Sequence, residues 1–566
     1  MFRIYLVRKS LSAKEDRWMA QNSEKIVFIV FYDNIGYGVR LLLSVAKAAG
    51  CEPHLILFKR ETGYAPLLKR GKEGPDGYQF FYNGLLRDGD YAVDRIKDEE
   101  VEILLDRIAA ISPSLICLSA MSFAYEFCKE IFPNIKKRFA HIPILSGGWG
   151  PTLEPQKFLE FSDYVAVLEG EKTVQYICEA LCYGRDFDDA PNLVYNKNHQ
   201  LVRNPVSPPL KESDLDALPF PDFGEENKWL ITNYKCLSGK EFVNHKVYDI
   251  FSSRGCPMSC SYCMASKYSN LYKSYSGDRC AKLRYRSIDV VFRELKVAIR
   301  NGATFIKFKD DVFPFHPKWL KEFLERYPKE IGLPFFCYLN PIFHKPDCIR
   351  QLKAVGLSVT MAGIQSGSQE IRERYFSRKE SKEQIVEFVR LLKDLDIQYA
   401  YHLIYRNPFE RESHLKESLE FVSQLPYSGV FIFMLVLFPG LPLKKRIEDE
   451  RPEPIAVLTS EWYALLHSLS LQGPFYRTLA KMIYRLNIFR SHPKLMSGFF
   501  LVPLMKEFWT RFLGRYVRGT QSYFTQKSRC NQRQKNSNII GKNPYTKIPE
   551  ANHGDSQGVS PMISNC

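Results

Sequence analysis

The chain has 566 residues, a formal net charge of +16, 45% hydrophobic and 25% charged residues. That length is too great for one hydrophobic core and predicts about three to four domains, while the composition is that of a globular protein. The longest apolar runs, Gly429 to Leu437 and Gly498 to Met505, are well short of a bilayer-spanning helix, so no transmembrane segment is expected.

Residues 1–24 predict a disordered extension: Met1 to Lys25 is mixed and charged and has no apolar core of a signal peptide. From 25 to 184, short and nearly continuous apolar runs alternate with amphipathic stretches. The strand candidates are Ile26 to Tyr32, Leu55 to Phe58, Leu115 to Met121, Ile142 to Leu145 and Tyr164 to Leu168, as expected of parallel strands buried on both faces. This is the pattern of an α/β doubly wound, Rossmann-like unit, which takes ligands at the carboxyl ends of its strands. Residues 185–244 predict a connector containing one hairpin, Asn192 to Asn204.

A second alternation fills 245–442, with strand candidates Val247 to Phe251, Thr304 to Lys309, Pro334 to Leu339, Ser358 to Ile364, Gln398 to Ile404 and Val430 to Phe438. Six such units predict a partial (β/α)6 barrel with its chemistry at the carboxyl-terminal rim. Residues 443–514 turn helical and aromatic, the pattern of a core or lid. The tail, 515–566, carries eight Lys or Arg against Glu550 and Asp555, hence six of the sixteen net positive charges. It is rich in Asn, Gln, Ser and Gly and predicts disorder. Much of the charge excess is therefore solvated tail, which weakens a nucleic-acid reading.

Three cysteines, Cys256, Cys260 and Cys263, follow the first barrel strand in the run Ser253-Arg254-Gly255-Cys256-Pro257-Met258-Ser259-Cys260-Ser261-Tyr262-Cys263. Their gaps let one loop wrap a corner of an iron-sulfur cubane with a thiolate on each of three irons, leaving the fourth open to a small molecule. The competing reading is a zinc site, but neither a Cys-x-x-Cys partner pair nor a His-x-x-x-His motif accompanies the loop. The other cysteines are scattered, and Cys117, Cys178 and Cys337 lie in apolar runs, where buried thiols are common. Unpaired thiols beside such a loop point to a reducing, cytoplasmic compartment.

The cysteine loop, with Tyr262 before its last Cys and a six-unit alternation behind it, resembles the radical S-adenosylmethionine (SAM) superfamily, in particular its members with an amino-terminal cobalamin-binding domain. The likeness spans roughly 25–443. It implies a [4Fe-4S] cluster held by Cys256, Cys260 and Cys263 as metal ligands, whose open iron chelates S-adenosylmethionine and leads to a 5′-deoxyadenosyl radical. By the same resemblance Asp310 and Asp311, ending the second strand, offer acceptors for the methionine ammonium; capping of the next helix is the equal alternative. Gly363, Gln365 and Ser366, ending the fourth strand, resemble the ribose-side segment, while a tight turn with Ser as cap explains them as well. The fifth strand ends Tyr405-Arg406-Asn407-Pro408-Phe409-Glu410, departing from a Gly-x-Pro-Gly-Glu segment at Arg406 and Phe409.

In the amino-terminal unit, Asp33, Gly38, Ser119, Gly147 and Gly148 follow the order of a cobalamin module, but Ile35 stands where a cobalt-ligating His is found. The resemblance implies cobalamin whose lower face has no His from this motif. Glu169 to Thr173 resembles the segment that closes the same domain. The implied function is a cobalamin-dependent radical enzyme, most often a methyltransferase, acting on a small-molecule or lipid-like substrate and drawing electrons from an external donor such as a flavodoxin or ferredoxin. A methylthiotransferase-type enzyme and a non-catalytic cobalamin or redox sensor are the alternatives.

Overall fold

The computed structural model describes residues 23–31, 36–59, 80–82, 96–277 and 283–485; the expected extension and basic tail, and Asp33 and Ile35, fall outside these residues. The strands, in chain order, are β1 (Lys25–Phe31), β2 (Glu52–Phe58), β3 (Phe80–Tyr82), β4 (Leu115–Ser119), β5 (Ile144–Gly147), β6 (Tyr164–Ala166), β7 (Leu193–Lys197), β8 (Gln200–Arg203), β9 (Lys228–Thr232) and β10 (Lys235–Ser238). They continue with β11 (Val247–Ile250), β12 (Ser253–Gly255), β13 (Leu283–Tyr285), β14 (Phe305–Phe308), β15 (Phe335–Tyr338), β16 (Leu357–Gln365), β17 (Gln398–Tyr405) and β18 (Gly429–Met434).

The first sheet has the order β10-β9-β2-β1-β4-β5-β6-β7-β8. Its five expected strands are parallel neighbours and are buried on both faces: in β1, Ile26 to Phe31 are all at most 4% exposed. Order reverses between β1 and β4, the switch point at which such sheets take ligands. The stretch read as a connector does more than connect. It supplies the hairpin β7–β8 to one edge and the hairpin β9–β10 to the other, so the sheet is nine-stranded. The turn Asn196-Lys197-Asn198 marked the first hairpin, but nothing local distinguishes a hairpin that stands alone from one that pairs with a distant edge.

The second sheet runs β11-β14-β15-β16-β17-β18-β3. Its six expected strands are parallel. The seventh was not anticipated: β3 comes from the crossover between β2 and the helix Asp98–Ile111, and pairs antiparallel with β18. The core behind the barrel is aromatic, with Phe308, Phe313, Phe323, Tyr327 and Phe335 in mutual edge and tilted contact. Helix Ile288–Arg300 begins where Ser287 Oγ accepts from Val290 N, and helix Lys382–Asp394 begins with a Ser381–Gln384 capping box. Helices Val457–Gln472 and Pro474–Arg485 follow the barrel; the remainder of the expected helical region lies outside the described residues.

Candidate active site at the barrel rim and the sheet edge

The cysteine loop does not leave the first barrel strand directly. It is presented by an antiparallel ribbon, β12 with β13, and bends back over the barrel. There Cys256, Cys260 and Cys263 line a cavity of about 230 Å³ together with Tyr262, Asp311, Tyr338, Asn340, Gly363, Gln365, Arg378, Glu380 and His402. Burial pushes the Cys256 thiol up to about 12 and raises Cys260 and Cys263 as well, so metal capture here must release protons. Among the described residues no three His, Cys, Asp or Glu side chains converge on one ion-sized point. Three thiols of one loop lining one cavity match the demand of a polynuclear cluster for one thiolate per iron.

The two adjacent aspartates divide. Asp311 lines the cavity and is itself exposed, so its carboxylate is open to a ligand. Asp310 is 1% exposed and faces the ribbon: its carboxylate accepts from Ser252 Oγ at 2.8 Å, Ser253 Oγ at 2.6 Å and Ser253 N at 2.5 Å. Burial raises Asp310 to about 6 against the lowering effect of these donors. Neither starts the next helix, which begins at Pro317 after His316. Gln365 and Gly363 reach the cavity, Gln365 with a left-handed backbone (φ +66°). Ser366 is turned into the strand-to-helix junction, where its Oγ lies 3.4 Å from Ser418 Oγ and accepts from Ser368 N. Its turn role is thus what the geometry displays.

Sequence reasoning missed Arg378 and Glu380. Arg378 donates to Gly363 O at 2.9 Å and to Glu380 Oε1 at 2.5 Å, and lies 3.4 Å from the Tyr262 hydroxyl; Asn340 Nδ2 donates to Glu380 at 2.9 Å. Burial opposes the charge on Arg378, but Tyr262 and Glu380 prevail and raise its value. Arg378 Nε and Glu380 Oε2 are buried without a hydrogen-bond partner, a polar demand that ammonium, carboxylate or hydroxyl groups of a ligand meet. Nothing local in the sequence marked them; in the structure a π-helical turn, Ile371–Tyr375, lies just before them, a feature that concentrates at functional sites. His402, beside Phe431 and Phe433, is held neutral, with burial and then Lys309 lowering it to about 4.

At the first sheet, Ser119 and Gly147 pair at the ends of β4 and β5, next to the switch point. Gly148 has φ +98°, and a Cβ there would stand 2.8 Å from Ala120 O, so only glycine lets the loop lie flat against β4's end. Gly150, not singled out in the sequence, is as tight, with Met121 C at 2.8 Å. Gly38 has nothing within 4 Å of an added Cβ; space above the edge is open there. Gly38 and Gly147 thus leave these strand ends without a side chain at two positions, which leaves room for a ligand there.

Residues 250–422 match the radical SAM superfamily and residues 83–177 the B12 binding domain. An uncharacterized methyltransferase of Pyrococcus horikoshii is 24% identical over 331 residues, 57% of this chain and 66% of its own length. An anaerobic magnesium-protoporphyrin IX monomethyl ester cyclase of Rubrivivax gelatinosus is 23% identical over 344 residues, 56% of this chain and 57% of its own length. The chain therefore spans just under two thirds or less of these relatives. In fold it is similar to the radical SAM methyltransferase TsrM of Kitasatospora setae (TM-score 0.54, 18% identity, 75% of this chain and 76% of that one). It is also similar to the cobalamin-dependent SAM radical enzyme OxsB (TM-score 0.52, 15% identity, 79% and 60%). The two matched domains define the cofactor set as a [4Fe-4S] cluster, S-adenosylmethionine and cobalamin. Residues 250–422 thus carry a radical SAM superfamily domain, and ahead of it residues 83–177 carry a B12 binding domain.

Proposed function

We propose that the chain is a cobalamin-dependent radical SAM methyltransferase acting on an unactivated carbon of a small-molecule or lipid-like substrate. The observation that carries this reading is the cavity in which three thiols of one loop meet Asp311, Gln365 and Arg378 at the carboxyl-terminal rim of the barrel. Cys256, Cys260 and Cys263 would hold the cluster. Asp311, Gly363, Gln365 and Arg378 would hold and orient S-adenosylmethionine, with Tyr262 bracing Arg378. Cobalamin would lie at the strand ends beside Gly38, Ser119, Gly147 and Gly148, and Asp33 is added to these from its place in the sequence motif alone. Bound in these places, the cofactors supply a radical and a methyl group. The protein excludes water with Met361, Ile364 and Phe388 in the cavity lining. Phe431 and Phe433 beside His402 favour an apolar substrate.

Asp310 and Ser366 take a supporting part, the first bracing the ribbon and the second the turn after β16. The electron comes from an external donor such as a flavodoxin or ferredoxin, and the site works in a reducing cytoplasm. A second reading, radical ring closure, is favoured by the two cyclases among the relatives, from Rubrivivax gelatinosus and Synechocystis. The test is anaerobic reconstitution with iron, sulfide, cobalamin and S-adenosylmethionine, comparing the native chain with Cys260→Ala. The expected result is 5′-deoxyadenosine from the native chain alone. Equal yields from the two proteins would overturn the reading, and cyclised product without methyl transfer would select ring closure.

A further inference from the structure

The cysteine loop is anchored from two sides. On the barrel side Asp310 grips Ser252 and Ser253. On the other side the anchor is ionic and reaches the B12-binding half. Arg254 and Arg284 are direct partners across the β12–β13 ribbon, and both guanidinium groups converge on Glu169, just beyond β6. Arg254 Nη1 lies 3.1 Å from Glu169 Oε1, and Arg284 Nη2 2.8 Å from the same oxygen. Arg254 gives its other arm to Glu171, at the first turn of helix Glu171–Cys182. Arg284 Nη1 also donates to Leu210 O at 2.6 Å, while Leu210 N donates to Glu169 Oε2 at 2.8 Å. The segment that links the two halves is thereby tied into the same knot.

Two carboxylates balance two guanidinium groups, with Glu169 10%, Glu171 9% and Arg284 5% exposed. Buried ion clusters contribute little net stability against a well-packed apolar alternative, and their best-attested use is to fix register. Apolar and neutral contacts already join the halves around the knot: Tyr37 against Phe251, Trp149 against Tyr268, and the Tyr275 hydroxyl on Thr152 O at 2.7 Å. What the charged centre adds is direction, because Arg284 donates both Nη groups to the Glu169 carboxylate while Arg254 divides its two between Glu169 and Glu171. Arg254 stands two residues before Cys256, so displacing it displaces the loop.

We infer that the Glu169–Arg254–Arg284 cluster sets the register of the cysteine loop against the B12-binding sheet, with Glu169 as a positioning residue acting through the two arginines. The inference rests on the proposed function for the identity of the two sites it aligns. Glu169→Gln keeps the size and removes the charge; Arg284→Lys keeps the charge and removes the fork, and serves if the first variant fails to fold. In the full chain without cofactors, amide hydrogen exchange over residues 251–264 is expected to rise by about tenfold in either variant, while β1 and β4 keep their protection. In the loaded protein, the distance distribution between cob(II)alamin and the reduced cluster, read by pulsed electron paramagnetic resonance, is expected to broaden. The yield of product per 5′-deoxyadenosine is expected to fall by about tenfold to a hundredfold, the usual effect of a misplacement of about 1 Å. Unchanged exchange and an unchanged distance distribution would overturn the inference. So would exchange that rises equally in β1 and β4, since that is general loosening. If the native chain takes up neither cluster nor cobalamin, the proposed function falls, and the exchange comparison still decides on the clasp.

Discussion

The barrel rim and the sheet edge solve opposite problems. At the rim, polar side chains are buried around a cavity: Arg378, Glu380 and the thiols of Cys256 and Cys260, with Cys263 half-buried and Asp311 exposed beside them. At the edge the important positions are glycines, Gly38, Gly147 and Gly148, and the surface is made by what is left out. The first arrangement stores electrostatic energy that a ligand must complete, as the unpartnered Arg378 Nε and Glu380 Oε2 indicate. The second stores almost none and works by access. Charge-changing substitutions should therefore be severe at the rim, and at the edge size-changing ones should cost stability only where an added Cβ meets backbone, as at Gly148.

The largest effect is expected from Arg378→Gln. It strands the Glu380 carboxylate, which is 1% exposed, and should cost about 3–5 kcal/mol, measured by urea unfolding, with S-adenosylmethionine binding lost in parallel. A loss below about 1 kcal/mol would mean that the rim is not electrostatically strained, and the contrast would break.

Next comes pH. Glu410, at the end of the barrel's fifth strand and 3% exposed, is raised by burial from 4.5 to about 8. The folded chain then holds a proton that the unfolded chain releases between these values. Its stabilising share is full below the unfolded value and is lost as pH rises through the folded one. Glu410→Gln should flatten that decline, a difference on the order of 3 kcal/mol between about pH 5 and pH 9, read as the change in unfolding free energy. Parallel pH profiles for the two proteins would refute it.

At the sheet edge, Gly148→Ala should cost about 1–3 kcal/mol, since it combines positive φ with a Cβ against Ala120 O. Gly38→Ala is the smallest effect and the sharpest contrast. Its Cβ would meet nothing, and alanine in helix Tyr37–Ala48 should gain up to about 1 kcal/mol. If Gly38 borders cobalamin, the same variant should bind cobalamin more weakly in a spectrophotometric titration while it unfolds later. Equal affinity would remove Gly38 from the site.

The periodicity of apolar runs was sufficient for the parallel strands of both halves, because a strand buried on two faces must be apolar throughout. The cysteine spacing was legible for a similar reason: the three thiols that line one cavity come from one loop, and their order is local. Legibility ended where partners are distant. β3 is a three-residue strand, too short for a pattern, and only the free edge of β18 gives it a place. The hairpins β7–β8 and β9–β10 have local turns, but which sheet they extend depends on edges far away in sequence.

The same division separates Asp310 from Asp311. They are identical neighbours in sequence, and the turn of the chain just after β14 sends one carboxylate to the ribbon and the other to the cavity. For Arg378 and Glu380, the chain from β16 through a π-helical turn had to be folded before two common surface residues became buried ones.

By itself, the sequence determined the two α/β alternations, the cysteine loop and the glycine positions, since each depends on residues close along the chain. The tertiary structure alone decided which polar groups are buried, which strands close the sheets, and that Glu169 of one half meets Arg254 and Arg284 of the other. Those outcomes depend on long-range contacts, whose energies are not written in any local pattern.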